Sequence, residues 1–244
     1  MRSIKMRVYR QDPEKDSSGR YEEYAVQVEE GMVVLGAIIS IIESIDSTLS
    51  ARWNCEAARC GSCSAEINGV PRLMCKTRLD GLGDVVTVGP MRAFRLVKDL
   101  VTDVSENYDA ERKIPEFHPD PSARRPWKMA GMDVARSKEF RKCIECYLCM
   151  DVCHVIREHK ASYIGPRHVI KAAALDMHPL DTIDRSEMLN KDSGIGYCNV
   201  TKCCQEVCPE HIKITDNAII PEKERGADSI YDPLGRLFKK KGSV

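Results

Sequence analysis

Apolar and polar residues alternate along 4–10 (IKMRVYR) and again along 21–29 (YEEYAVQVE). Period-two alternation carried by Ile, Val and Tyr predicts two half-buried strands. The stretch between them, QDPEKDSSGR, is turn-forming, so the pair reads as a hairpin with a loose loop. Residues 33–46, VVLGAIISIIESID, are apolar for longer than a strand needs and predict a buried helix packed on that hairpin. SAEIN at 64–68, entering a turn at Gly69, and DVVTV at 84–88, ahead of Pro90, predict two more strands. Strand, strand, helix, strand, strand is an α+β pattern.

Beyond residue 90 the period changes. Apolar side chains at 94, 97, 100, 101 and 104 have helical spacing and predict a connecting helix over 92–108. Prolines at 115, 119, 121 and 126 make 114–131 an irregular linker that wraps over other elements, anchored by Trp127. From about 132 helix formers dominate, in MDVARSKEFRKCIECYLCMDVC and then PRHVIKAAALDMH, with the apolar run 167–175 as core. The chain closes on RLFKKKGSV, read as a solvated tail. The longest apolar run, Met32 to Ile42, is eleven residues with Gly36 inside it, against the ~20 a membrane span needs. The first residues, MRSIKMRVYRQDPEK, contain no signal-peptide core, which points to the cytosol.

Charge removes one class of function. Thirty-seven Lys and Arg balance 37 Asp and Glu, which argues against a nucleic-acid binder held by phosphate neutralisation. The 12 cysteines are too sparse for a disulfide scaffold, and thiols in a reducing compartment stay reduced. They read as metal ligands. They fall in three clusters, Cys55, Cys60, Cys63, Cys75, then Cys143, Cys146, Cys149, Cys153, then Cys198, Cys203, Cys204, Cys208. The 67 cysteine-free residues after Cys75 suggest two domains with separate inorganic chemistry.

The first cluster reads C-x4-C-x2-C-x11-C in RWNCEAARCGSCSAEINGVPRLMC. That is plant-type [2Fe–2S] spacing. Ala57, Ala58, Gly61 and Ser62 are small enough for the backbone N–H groups to approach the sulfurs. Structural zinc, the competing reading, usually shows two short Cys knuckles and matches this loop poorly. Trp53 beside it reads as loop packing, and Arg59 and Arg78 as charges paired with carboxylates.

CIECYLCMDVC at 143–153 is the C-x2-C-x2-C-x3-C run of bacterial ferredoxins, whose fourth Cys serves the other cluster of a pair. CNVTKCCQEVCP at 198–209 repeats the template with Thr201 in the second position and Cys203 outside it. These two segments are the only self-similar pieces of the chain. Crosswise assignment gives Cys143, Cys146, Cys149 and Cys208 to a [4Fe–4S] cluster. It leaves Cys153, Cys198 and Cys204 for the last site. A neutral hydroxyl is a poor iron ligand beside thiolate. Three thiolates therefore predict [3Fe–4S], with Cys203 as the residue that could supply a fourth.

RWNCEAARCGSCSAEING, CKTRLDG, CIECYLCMDVC and CNVTKCCQEVCP together resemble the iron–sulfur subunit of succinate dehydrogenase and fumarate reductase, respiratory complex II. The resemblance spans nearly the whole chain. It implies an α+β architecture with a β-grasp [2Fe–2S] domain at 1–106 and an all-helical two-cluster domain at 107–244. It implies a flavoprotein partner carrying FAD and the dicarboxylate site, and a membrane anchor in which haem b can occur. The chain would then sit peripherally on the cytoplasmic face of a prokaryotic membrane. Electrons would pass singly from FAD through the three clusters to a quinone, or backwards in a fumarate reductase, with no catalytic side chain of this chain needed.

One stretch departs from the family pattern. Ubiquinone-using members commonly follow the first [3Fe–4S] Cys with Pro and then Trp, and the second with His. Here Cys153 is followed by His154 and Cys198 by Asn199. Menaquinone, or a quinone held mainly by the anchor, fits this better, and His154 reads as a packed or solvated residue. Other expectations compete: a thiol-dependent fumarate reductase, a free-standing ferredoxin, or a zinc module. No further Cys follows Cys208, which disfavours the first, and the neutral charge disfavours the second.

Overall fold

A computed structural model describes residues 2–159 and 162–231. Strands β1 (Arg2–Arg10) and β2 (Arg20–Val28) form the hairpin, and helix α1 (Val34–Ser44) follows. β3 (Ser64–Ile67), β4 (Val70–Leu73) and β5 (Val85–Gly89) complete a five-stranded sheet in the order β2-β1-β5-β3-β4. β5 runs parallel to β1 and the other pairs are antiparallel. Alternation in β1 sends Ile4, Met6 and Val8 inward against Leu35, Ile38 and Ile41 of α1 and Val86 and Val88 of β5. The inward row ends on the buried Arg10, neutralised by Asp99 at 3.1 Å and by Asp46.

Two elements differ from the sequence expectation. VPRL makes β4, unexpected because it contains Pro71; Pro is tolerated here because β4 lies at the sheet edge. Asn68 and Gly69, both at positive φ, form the tight turn between β3 and β4. The helix expected over 92–108 does not form. The segment is instead a two-stranded ladder, β6 (Arg95–Lys98) and β7 (Val101–Asp103), and then α2 (Glu106–Arg112). Asp99, left-handed at φ 48°, turns the chain there. Its carboxylate accepts from Arg10 and from the backbone N–H groups of Gln11 and Ser50. Those tertiary bonds outweigh the helical spacing of the apolar residues.

The remainder is helical: α3 (Gly131–Lys138), α4 (Leu148–Asp151), α5 (His154–His159), α6 (Pro166–Asp176), α7 (Cys203–Glu206) and α8 (Ile220–Tyr231), with a π-helical segment Ile214–Ile219. The Pro-rich linker is pinned by the fully buried Arg185, which donates to the carbonyls of Pro115 and Glu116 and pairs with Asp176 and Asp181. Trp127, expected to anchor the linker, is instead exposed and packs edge-on against Phe117 of the same linker; Phe117 is the residue that reaches out, edge-on to His178. Among the described residues no helix is long and apolar enough to cross a membrane. The tail RLFKKKGSV lies outside the described residues.

Candidate iron–sulfur centres

The first cysteine loop is shaped by left-handed residues, Glu56 at φ 53°, Ala58 at 55° and Gly61 at 70°. This turns the N–H groups of Ala57 and Arg59 onto Cys55 Sγ at 3.4 and 3.3 Å. The Cys75 N–H meets Cys63 Sγ at 3.4 Å. Donors aimed at sulfur favour thiolate. Burial would raise the Cys60 thiol, but hydrogen bonds from Ser62 and the loop backbone outweigh it and bring it down to about 6. Burial pushes Cys63 up to about 12, with the Cys75 and Cys60 thiols adding to the effect. Trp53 packs on the core, and Arg78 pairs with Asp80 at 2.7 Å.

The other two cysteine runs are one backbone motif used twice. A 3-10 turn, Phe140–Lys142 or Ile195–Tyr197, delivers Cys143 or Cys198. Left-handed residues follow at the same positions, Glu145 and Tyr147 in one, Val200 and Lys202 in the other. A short helix then starts, α4 at Leu148 and α7 at Cys203. The helix-forming stretch from 132 is therefore broken at these left-handed turns. In this superposition Thr201 stands at the position of Cys146, Cys204 at that of Cys149, and Cys203 at that of Leu148.

The runs cross. Cys143, Cys146, Cys149 and Cys208 line one small enclosed cavity together with Ile144, Ile170, Ile212 and Ile214. The Ile212 N–H reaches Cys208 Sγ at 3.4 Å. Burial pushes Cys146 up to about 12, and the Cys143 and Cys208 thiols reinforce it. Around the third site burial likewise pushes Cys204 up to about 12, with Cys203, Cys198 and Cys153 close enough to add to it. Thr215 lies 3.3 Å from Cys204 Sγ and opposes the shift. Thr201 is exposed, its hydroxyl 3.5 Å from Cys203 Sγ. Among the described residues no three His, Cys, Asp or Glu side chains converge as on one ion.

The structure pairs two residues that the sequence had already singled out and adds others that it had not. His154 and Asn199, each following a third-site cysteine, meet at 2.9 Å between His Nε2 and the Asn amide nitrogen. Among the described residues, three buried side-chain polar atoms lack a partner: Asp151 Oδ2, Tyr163 Oη and Arg167 Nε. Arg167 lines the cavity of the second site. Tyr163 is close enough to Cys198, Cys153, Cys204 and Cys149 for their charge to raise its phenol further, after burial. Both precede or open the apolar helix α6, where a buried polar residue was the available signal.

Two family models match. A 2Fe-2S iron-sulfur cluster binding domain covers residues 5–109, and a 4Fe-4S dicluster domain covers 139–212. The fumarate reductase iron-sulfur subunit of Mycobacterium tuberculosis is 32% identical over 222 residues, 87% of this chain and 88% of that one. The chain belongs to the succinate dehydrogenase and fumarate reductase iron–sulfur subunit family. The succinate dehydrogenase iron-sulfur subunit of Bacillus subtilis is 27% identical over 231 residues, 88% of this chain and 89% of that one. A chain of the Mycobacterium smegmatis Sdh1 complex in the apo form superposes with a TM-score of 0.91 at 54% identity, covering 95% of this chain and 98% of that one. As a member of this family the chain is an electron-transfer subunit of a multi-subunit oxidoreductase. Its α+β architecture is the family's: a ferredoxin-like sheet domain followed by a helical ferredoxin-type domain.

Proposed function

We propose that this chain passes electrons one at a time between the FAD of a flavoprotein subunit and a membrane quinone, in a succinate:quinone oxidoreductase. Its ligands are Cys55, Cys60, Cys63 and Cys75 for [2Fe–2S], and Cys143, Cys146, Cys149 and Cys208 for [4Fe–4S]. Cys153, Cys198 and Cys204 hold [3Fe–4S]. The observation that carries the reading is the crossing of the two runs, since Cys208 shares a cavity with Cys143, Cys146 and Cys149. The thiol sets fit clusters, and so do two buried polar atoms without a partner that can serve sulfur: Arg167 Nε, whose side chain lines the second site's cavity, and Tyr163 Oη, an electrostatic neighbour of the third-site cysteines. When bound, the clusters supply one-electron steps between two-electron partners.

The chain's own residues hold the three sites in a row. Gly61 of the first loop abuts Cys146 of the second. Cys149 of the second is an electrostatic neighbour of Cys204 in the third. Thr201, at the place of a ligand and with no thiol, supports three irons rather than four. The division into 1–106 and 107–244 belongs to the same proposal. Its support is that Asn107 and Glu111 of α2 bond to His168 and Lys171 of α6, on the helical side. The His154–Asn199 pair replaces the residues that accompany ubiquinone, which favours menaquinone or a quinone seated on the anchor. The anchor, in which haem b can occur, would hold the chain on the cytoplasmic face of the membrane. Relatives named for fumarate reduction support the same wire running in reverse.

EPR on the anaerobically purified complex tests the proposal. The expected record is a three-iron signal when oxidised, then [2Fe–2S] and [4Fe–4S] signals on stepwise reduction. Two four-iron centres without a three-iron signal would assign Cys203 or another residue as a ligand and defeat the third-site reading.

A further inference from the structure

Arg167 stands on the first turn of α6 with 4% of its surface exposed. It is the only cation among the side chains that line the cavity shared by Cys143, Cys146, Cys149 and Cys208. Its Nη2 pairs with Glu145 at 2.6 Å and lies 3.6 Å from Glu111. Its Nε is buried without any partner. A guanidinium that served only to fasten Glu145 could leave Nε at the surface, as exposed arginines do. Here Nη2 faces the carboxylates, Nε is buried and unpaired, and the side chain lines the cysteine cavity with Cys143 as an electrostatic neighbour.

We infer that Arg167 is a tuning residue of the second cluster, its Nε–H donating to a cluster or ligand sulfur and its charge raising that cluster's reduction potential. This rests on the cluster assignment proposed above. Reduction adds one negative charge to the cluster, so a fixed cation and a hydrogen bond to sulfur both favour the reduced form. Arginine suits this role because it stays protonated under all working conditions and donates from a rigid plane. Glu145 sits between Cys143 and Cys146 and holds the plane by its outer edge. The two carboxylates moderate the charge and leave the hydrogen bond intact.

The test uses the intact complex and potentiometric EPR of the [4Fe–4S] signal. Arg167→Met is expected to lower its midpoint by at least a tenfold change in the reduced-to-oxidised ratio at fixed potential, about 59 mV for one electron. Arg167→Lys keeps a charge without the Nε donor and is expected to fall between Met and the unaltered complex. The [2Fe–2S] midpoint should stay in place. An intact four-iron signal with an unmoved midpoint in Arg167→Met overturns the inference. Should that variant fail to assemble, the unaltered complex decides. Labelling its arginines with 15N is expected to change a nitrogen coupling in pulsed EPR of the reduced second cluster. No arginine coupling on an otherwise normal [4Fe–4S] signal overturns the inference alone. No [4Fe–4S] signal at all overturns the cluster assignment with it.

Discussion

Ser64 and Cys146 join the two halves of the chain: the serine hydroxyl lies 2.8 Å from the Cys146 carbonyl oxygen and 2.9 Å from that of Gly61. One proton is shared by two acceptors, one in each cysteine loop. The same junction brings the backbones together so closely that a Cβ on Gly61 would stand 2.6 Å from Cys146 Cα. Contacts of this kind fix how far apart the first two sites sit, and so belong to the wire as much as the ligands do.

Gly61→Ala should therefore be severe. The new methyl meets backbone, and the φ of 70° is strained for any residue with a Cβ. A loss of several kcal/mol in stability is expected, on the order of a strained position plus overpacking. Ser64→Ala should cost only about 1 kcal/mol, the net value of one hydrogen bond. The check is [2Fe–2S] content per complex by EPR together with melting temperature. A Gly61→Ala complex with full cluster content and unchanged melting would show that the loops can separate without loss.

Cys208→Ser should abolish the [4Fe–4S] signal, because Cys208 lines that cavity from the distant run. It should also loosen the helical half, since cluster binding there is folding free energy. Retention of a four-iron signal and of succinate–quinone activity would refute the crosswise assignment.

Thr201→Cys places a thiol where the repeated backbone has Cys146. The expected outcome is replacement of the three-iron signal by a four-iron one. An unchanged three-iron signal would mean that loop geometry, and not the ligand count, sets the cluster type.

The three cysteine clusters were legible because thiolate chemistry sets residue spacings within local windows, and the cavity that Cys208 shares with Cys143, Cys146 and Cys149 agrees with the crossed assignment proposed from them. Strands β1, β2 and β5 were legible because their alternation matches a sheet with one buried face, and β3, buried along its whole length, was legible from the turn at Gly69 that ends it. What stayed hidden depended on distant partners. The turn at Asp99 is decided by Arg10, Gln11 and Ser50, far away in sequence. Strand β4 is tolerated only because its edge position forgives Pro71. Arg167 and Tyr163 resemble ordinary residues at a helix start until the cysteines they face are brought beside them.

Glu222 gives the helical half a pH dependence. It is fully buried on α8, and burial raises it to about 7 from an ordinary 4.5. The Asp176 carboxylate on α6 and Asp184 in the following loop add to the rise. Arg225, 3.3 Å away, opposes it, and Arg185 is engaged with Asp176. The raised value means the folded state binds the proton more tightly than the unfolded chain. The stability contributed by protonated Glu222 is complete below pH 4.5 and is lost as pH rises through 7. Glu222→Gln should remove that slope and make the helical half more stable than the parent above pH 7, by a few kcal/mol at about 1.36 kcal/mol per unit. Hydrogen exchange of α8 amides across pH 5–8 reads it. Identical pH profiles for parent and variant would assign the slope to another group.

Tyr163→Phe isolates a single hydroxyl. The ring is buried, Phe retains its volume, and the only group removed is an oxygen with no protein partner. If that hydroxyl were idle, its removal would leave the third site unchanged and would relieve a buried polar group, which is neutral to stabilising. The neighbouring Cys198, Cys153, Cys204 and Cys149 argue that it is not idle. An O–H donor to sulfur favours the reduced cluster, and losing it should lower the third-site potential. The expected result is a downward shift of the three-iron midpoint in potentiometric EPR, with the [2Fe–2S] midpoint in place and cluster content unchanged. A three-iron midpoint equal to the parent's would leave Tyr163 as packing alone, and would mean that the potential at the end of the wire is set by the cysteines and their backbone donors.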